Sequence, residues 1–181
     1  MNTWLCKRSL RSATFRIVVL LGLATHSWAL HAYENSNEKL VNQQTGVYIL
    51  EEWHKDGQVF EPPQVEGRFM FLNGVIMTVL HDRMQASSET TIVVTGYYTL
   101  DSSKFSYGYD NTSIYTESPS GVTASHQSLW EGLRVFAVSS EEGIVRMQSE
   151  TGQQEFIFDA NRLTYVENGK PLRVWRRATQ R

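Results

Sequence analysis

Arg68-Phe69-Met70-Phe71-Leu72-Asn73-Gly74-Val75-Ile76-Met77-Thr78-Val79-Leu80 is the stretch whose reading decides the fold. Two runs rich in strand formers flank Asn73-Gly74. Both residues of that pair tolerate the positive φ that a two-residue type I′ turn demands, so the segment reads as a β-hairpin. Counting by twos from the turn puts Phe69, Phe71, Ile76 and Leu80 on one face. Met70, Leu72, Val75 and Met77 share the other. A small barrel with one wet face would alternate apolar and polar. The second apolar face therefore calls for a cover: a loop, a tail or a second subunit.

The same grammar extends in both directions. Upstream, Val47 to Trp53 reads as a strand, Asp56-Gly57 as a turn, and Pro62-Pro63 is barred from a sheet interior. Downstream, Thr90 to Leu100 opens on a β-branched run, and Asp101-Ser102-Ser103 turns it into Lys104 to Tyr109. Asp110 to Ser128 is polar and reads as a long loop, with Ser113 to Thr116 as a short strand inside it. Later strands are expected at Leu133 to Val138, Ile144 to Met147, Glu155 to Phe158, Arg162 to Val166 and Leu172 to Arg177. Turns at Glu141-Glu142-Gly143, Thr151-Gly152, Ala160-Asn161 and Asn168-Gly169 separate them. Only Glu38 to Gln43 and Ser125 to Glu131 offer a weak helical pattern. Nine or ten short strands at this spacing imply an all-β antiparallel sandwich or closed barrel.

The chain has 181 residues, one domain's worth, with 17 Lys+Arg against 19 Asp+Glu. Its first 29 residues hold Lys7, Arg8, Arg11 and Arg16 and no acid. The basic stretch continues into the short apolar run Ile17 to Ala24 and small residues up to Ala32. This is the layout of a secretory signal peptide, cut after Ala29 or after Ala32. The apolar run is too short to span a bilayer, which takes about 20 residues. The expected organisation is a signal peptide over 1–29, a polar lead-in over 30–45 and a barrel domain over 46–178, in a secreted or periplasmic protein.

Beyond residue 29, 13 basic residues face 19 acidic ones, a net charge of −6. Nucleic-acid binders normally carry the opposite sign, clustered on one face. The single cysteine, Cys6, lies in the segment to be removed, so the mature chain has no thiol for a disulfide, a metal site or a nucleophile. No phosphate loop, G-x-S-x-G elbow or H-E-x-x-H occurs, so neither a cofactor nor a metal is expected.

Several blocks together resemble the bacterial lipocalin-like domain family. Gly46-Val47-Tyr48-Ile49-Leu50 is similar to its opening G-x-W strand, with Tyr in place of Trp. Asp56-Gly57, Pro62-Pro63 and Gly67-Arg68-Phe69-Met70-Phe71 resemble its second block. Thr95-Gly96-Tyr97-Tyr98-Thr99-Leu100 resembles its T-G-x-Y strand. Asn161-Arg162-Leu163-Thr164 and Val174-Trp175-Arg176-Arg177-Ala178 resemble its closing blocks. The resemblance spans residues 46 to 178. It implies an antiparallel barrel with a central apolar cavity, its base plugged by Tyr48 under a last-strand arginine, Arg176 or Arg177. It carries no shared catalytic motif.

Candidate site residues follow from side-chain parity. With Tyr48 taken as inward, Leu50, Glu52 and His54 share its face. The face of Met77 also holds His81 and Arg83, so His54 and His81 are expected to converge at one end of the barrel. Two histidines and a carboxylate are the groups of a proton relay. Arg83 offers a planar fork to a ligand carboxylate, or else an ion pair with Asp82 or Glu89. Arg68 shares the face of Met77 by parity, Arg134 is a further candidate beside it, and two inward arginines would call for an acidic ligand. Phe105, Tyr107 and Tyr109 alternate along one strand, with Tyr98 beside them and Trp130 near the long loop. Tyrosines in a cavity supply apolar area with a polar tip. Three functions compete. One is a carrier of a small, largely apolar molecule through Glu52, His54, His81, Arg83, Tyr98, Tyr107, Tyr109 and Trp130. Another is a cofactor-free isomerase, cyclase or lyase using His54, His81 and Tyr107. The third is an assembly protein, such as a homo-oligomer, joined through the two-sided hairpin.

Overall fold

A computed structural model describes residues 44–127 and 132–179. The expected signal peptide, nearly all of the lead-in, and Trp130 lie outside the described residues. Twelve strands follow one another: β1 (Gly46–Lys55), β2 (Gln58–Phe60), β3 (Val65–Leu72), β4 (Val75–Asp82), β5 (Glu89–Leu100), β6 (Lys104–Ser118), β7 (Gly121–His126), β8 (Arg134–Glu141), β9 (Ile144–Ser149), β10 (Gln154–Asp159), β11 (Arg162–Glu167) and β12 (Lys170–Arg177). Every pairing is antiparallel. Ten strands form a closed up-and-down circuit, β1-β3-β4-β5-β6-β8-β9-β10-β11-β12, shut by β12 against β1. β2 and β7 hang off it as hairpin arms on β1 and β6. This is the all-β antiparallel barrel expected from the sequence, and the architecture is consistent with a lipocalin-like fold. Lipocalin barrels close with eight strands, and this circuit has ten.

Four tight turns carry the meander. Asp56-Gly57, Asn73-Gly74, Glu142-Gly143 and Asn168-Gly169 all have positive φ at both residues, the type I′ signature. At the deciding hairpin, Leu72 pairs with Val75 and Phe69 with Thr78, as the Asn-Gly turn dictates. Phe69, Phe71, Ile76 and Leu80 are buried inside the barrel, whereas Leu72 and Val75 stay 43% and 44% exposed on the outer wall.

Two sequence expectations are corrected. The stretch from Asp110 is not a loop: β6 runs through it to Ser118, and Ser118-Pro119-Ser120-Gly121 turns into β7. Its residues are polar but support a ladder, because β6 pairs with β5 on one side along almost its whole length. The helical pattern at Ser125 begins as the end of β7. The second correction concerns β1. Leu50 faces Trp175 and Glu52 faces Val174, so Glu51 is an unpaired extra residue. A bulge of this kind flips every later side chain to the opposite face. Trp53 is thus buried where Glu52 and His54 were expected inside.

The turn between β5 and β6 is held by one carboxylate. Asp101 Oδ1 accepts from the Ser103 amide, the Ser103 hydroxyl and the Lys104 amide, each at 2.8 Å. The Ser103 amide, chiefly, holds this carboxyl below the usual range. A depressed folded-state value adds stability that is complete above the unfolded value near ~4 and lost as pH falls through the folded value. Asp101→Ala should therefore lower the thermal midpoint at pH 7 by a few degrees, about 0.5–1 kcal/mol for an exposed turn. The gap to the parent should close below pH ~4. A gap that persists unchanged at pH 2–3 would assign the loss to something other than these bonds.

Candidate functional site

The barrel interior divides into a filled half and a hollow half. At the Tyr48 end, rings pack on rings. Phe71 lies 4.6 Å from Tyr98, 5.5 Å from Phe105 and 5.8 Å from Phe158, centroid to centroid. Phe105 in turn stands 5.6 Å from Phe136. Tilted and edge-on geometries of this kind are favourable and leave little free volume. Tyr48 sits beneath Phe158 and donates its hydroxyl to the Gln44 carbonyl at 2.9 Å. Burial pushes its pKa up to about 12. Of the two expected arginines, Arg177 is the one over the Tyr48 ring, at 5.9 Å, and it also donates to the Thr45 carbonyl. Arg176 points outward to Glu51 at 2.9 Å.

Above this plug lies a cavity of about 240 Å3. Phe69, Tyr107, Phe156, Leu163 and Trp175 border the aromatic plug. Leu80, Ile92, Val94 and Ile114 form apolar walls, contributed by β4, β5 and β6. At about 30 Å3 per water in the liquid, the space equals roughly eight waters.

Among the described residues the charged groups of the cavity are both cationic. Arg134, at the start of β8, donates to Gln154 Oε1 at 3.0 Å and reaches the Tyr107 hydroxyl. Arg173, on β12, has its guanidinium carbon 4.4 Å over the Trp53 ring. Its Nε is buried without a hydrogen-bond partner, although the residue as a whole keeps partial exposure. Desolvation pulls the Arg173 pKa down, opposed by Tyr165, Tyr109 and Glu167. An arginine so placed stays charged at any ordinary pH. Burial raises the pKa of Tyr107, Tyr109 and Tyr165, so their hydroxyls remain protonated donors. Tyr109 is hydrogen-bonded to Thr78. Among the described residues no carboxylate lines the cavity.

Tyr107 and Tyr109 thus line the cavity, joined by Arg134. Tyr107 is also part of the plug: it is 2% exposed and stacks on Phe105 at 5.4 Å and Phe136 at 5.7 Å. Truncating it carries a core cost as well as a cavity effect. Tyr98 belongs wholly to the filled half. The histidines do not converge. The bulge at Glu51 leaves His54 paired with Glu52 at 2.8 Å, outside the cavity lining. His81 shares the outer face of Met77. It bonds the Thr91 hydroxyl at 3.0 Å and stands 3.4 Å from Glu89. Arg83 makes ion pairs with Glu89 at 2.9 Å and Glu66 at 3.2 Å, which raise its pKa and lower that of Glu89. Arg68 is exposed. Among the described residues no cluster of His, Cys, Asp and Glu is built to hold a metal ion.

Sequence reasoning missed Arg173 and Tyr165. The signal was present: counting back by twos from Arg177, the partner of Tyr48, gives Trp175 and Arg173 on the inner face. Comparison with known sequence families, curated proteins and solved structures finds no match to this chain.

Proposed function

We propose that the chain is a secreted or periplasmic carrier of the lipocalin-like kind, holding a small, largely apolar molecule inside its barrel. One observation carries this reading: the interior is packed with rings at one end and hollow, with apolar walls, at the other. A barrel that needed only a core would fill both halves, because interiors pack to crystal-like density. A pre-formed cavity with apolar walls and a few convergent polar groups is how small-molecule sites are built. The basic, acid-free leader followed by an apolar run supports export. The catalytic alternative has Tyr107 at the cavity but neither His54 nor His81.

A neutral apolar dye, N-phenyl-1-naphthylamine, should bind the purified protein saturably at one site per chain. Val94→Trp fills the hollow from its wall and should weaken the dye about tenfold or more, equal to about 1.4 kcal/mol. Circular dichroism would verify that the strands persist. Saturable binding that ignores the Trp would place the dye elsewhere and end the reading.

A further inference from the structure

We infer that the ligand is a carboxylic acid whose head group is held inside the barrel by Arg173 and Arg134. This rests on the carrier reading and specifies its ligand class. Both guanidiniums line one cavity, and among the described residues none that lines it is acidic. Glu167, on β11 two residues beyond Tyr165, acts on Arg173 more weakly than Tyr165 and Tyr109 do. Arg134 hydrogen-bonds Gln154 and the Tyr107 hydroxyl at the rim of the same space. A buried charge in a protein is normally paired, and a ligand carboxylate would supply that partner for Arg173.

Arg173 is the sharper of the two. Among the described residues, buried side-chain polar atoms without a partner occur in Gln44, Thr112 and Arg173, and only Arg173 lines the cavity. The orphaned atom is Nε. The side-on edge of a guanidinium, Nε with one terminal nitrogen, is a fork that matches the two oxygens of a carboxylate. The Trp53 ring beneath the guanidinium holds the fork in place and eases its desolvation. Tyr109 and Tyr165 line the same space, and a phenol is a neutral donor suited to an anion. The apolar walls at Ile92, Val94 and Ile114 leave room for a short acyl or aromatic body, with volume limited to about 240 Å3.

Calorimetry with octanoate and with 1-octanol, the same chain without the charge, tests this. Octanoate should bind the purified protein at least about tenfold more tightly, the scale of a charge-assisted hydrogen bond. Arg173→Met keeps the stem's bulk and should erase that preference, the two ligands then binding alike. Its thermal midpoint without ligand should not fall, because an unpaired cation has been removed. Arg173→Lys keeps the charge without the fork and should recover only part of the preference. Arg134→Met provides the same readout if either Arg173 variant fails to fold. Equal affinity for octanoate and octanol, or an octanoate preference that survives both Met variants, overturns the head-group assignment and leaves the apolar carrier standing. Failure of the dye, octanol and octanoate alike overturns the carrier and this inference together.

Discussion

Phe71→Ala should cost about 3–5 kcal/mol, the usual penalty for truncating a packed core aromatic. The thermal midpoint should then fall on the order of 10 °C for a domain of this size. Phe71 is fully buried, and its ring touches those of Phe69, Tyr98, Phe105 and Phe158. Those partners come from β3, β5, β6 and β10 around the circuit, so the vacated space cannot collapse by moving one of them. Phe71→Leu should recover part of the loss. A midpoint shift below about 2 °C for the alanine variant would contradict a rigid plug at this end.

A comparable loss is expected from Gly96→Ala, the smallest possible addition of a side chain. Gly96 pairs with Tyr109 next to the bulge that leaves Asp110 unpaired, and the Asp110 side chain there accepts from the Thr95 hydroxyl at 3.1 Å. A Cβ at residue 96 would stand 2.0 Å from the Gly108 carbonyl oxygen and 2.8 Å from Tyr109 Cα. Both obstacles are backbone, so β5 and β6 must separate there. The cost should reach about 3 kcal/mol or more, in the range reserved for strain and overpacking. Because Tyr109 rides on the displaced segment, dye binding should weaken too. Gly108→Ala is the control. Its Cβ would meet the end of the Leu133 side chain at 3.0 Å, which can move aside, and the Gly132 carbonyl oxygen at 3.3 Å, a far milder approach than the 2.0 Å at residue 96. Equal midpoints for the two alanine variants would show that the β5–β6 approach is not as tight as the structure has it.

The strand pattern was legible in the sequence because it rests on local chemistry. Asn73-Gly74, Asp56-Gly57 and Asn168-Gly169 announce their turns by the conformations they permit, and the apolar runs around them fix the hairpin register. The Asp110–Ser128 segment was harder, since β6 there is polar and its pairing with β5 and β7 is a tertiary matter. The site was only half legible. The alternation of Tyr107 and Tyr109 along one strand pointed to the cavity, whereas no parity count reached Arg134. Glu52 and His54 were misplaced by one unpaired residue, Glu51, whose bulge no local signal marks. On β12, Leu172 is likewise an extra residue opposite the Tyr165–Val166 step. Parity counted forward from the Asn168-Gly169 turn therefore fails, whereas parity counted back from Arg177 succeeds. Side-chain alternation is reliable between bulges and silent about where they fall.

The circuit is shut by the pairing of β1 with β12, whose outer faces are clasped by Glu51 and Arg176, 125 positions apart. The other steps around the ring are between strands close in sequence and can zip up as soon as each hairpin is made. Closure therefore comes last, waiting on the most distant contact and the largest loop entropy. Until then β1 and β12 are open edges, free to recruit a neighbouring chain, and the cavity has no continuous wall. A chain that stops short of Lys170 would never leave that state. It would have its turns and most of its strands, yet behave in solution as a sticky curled sheet with nothing to enclose.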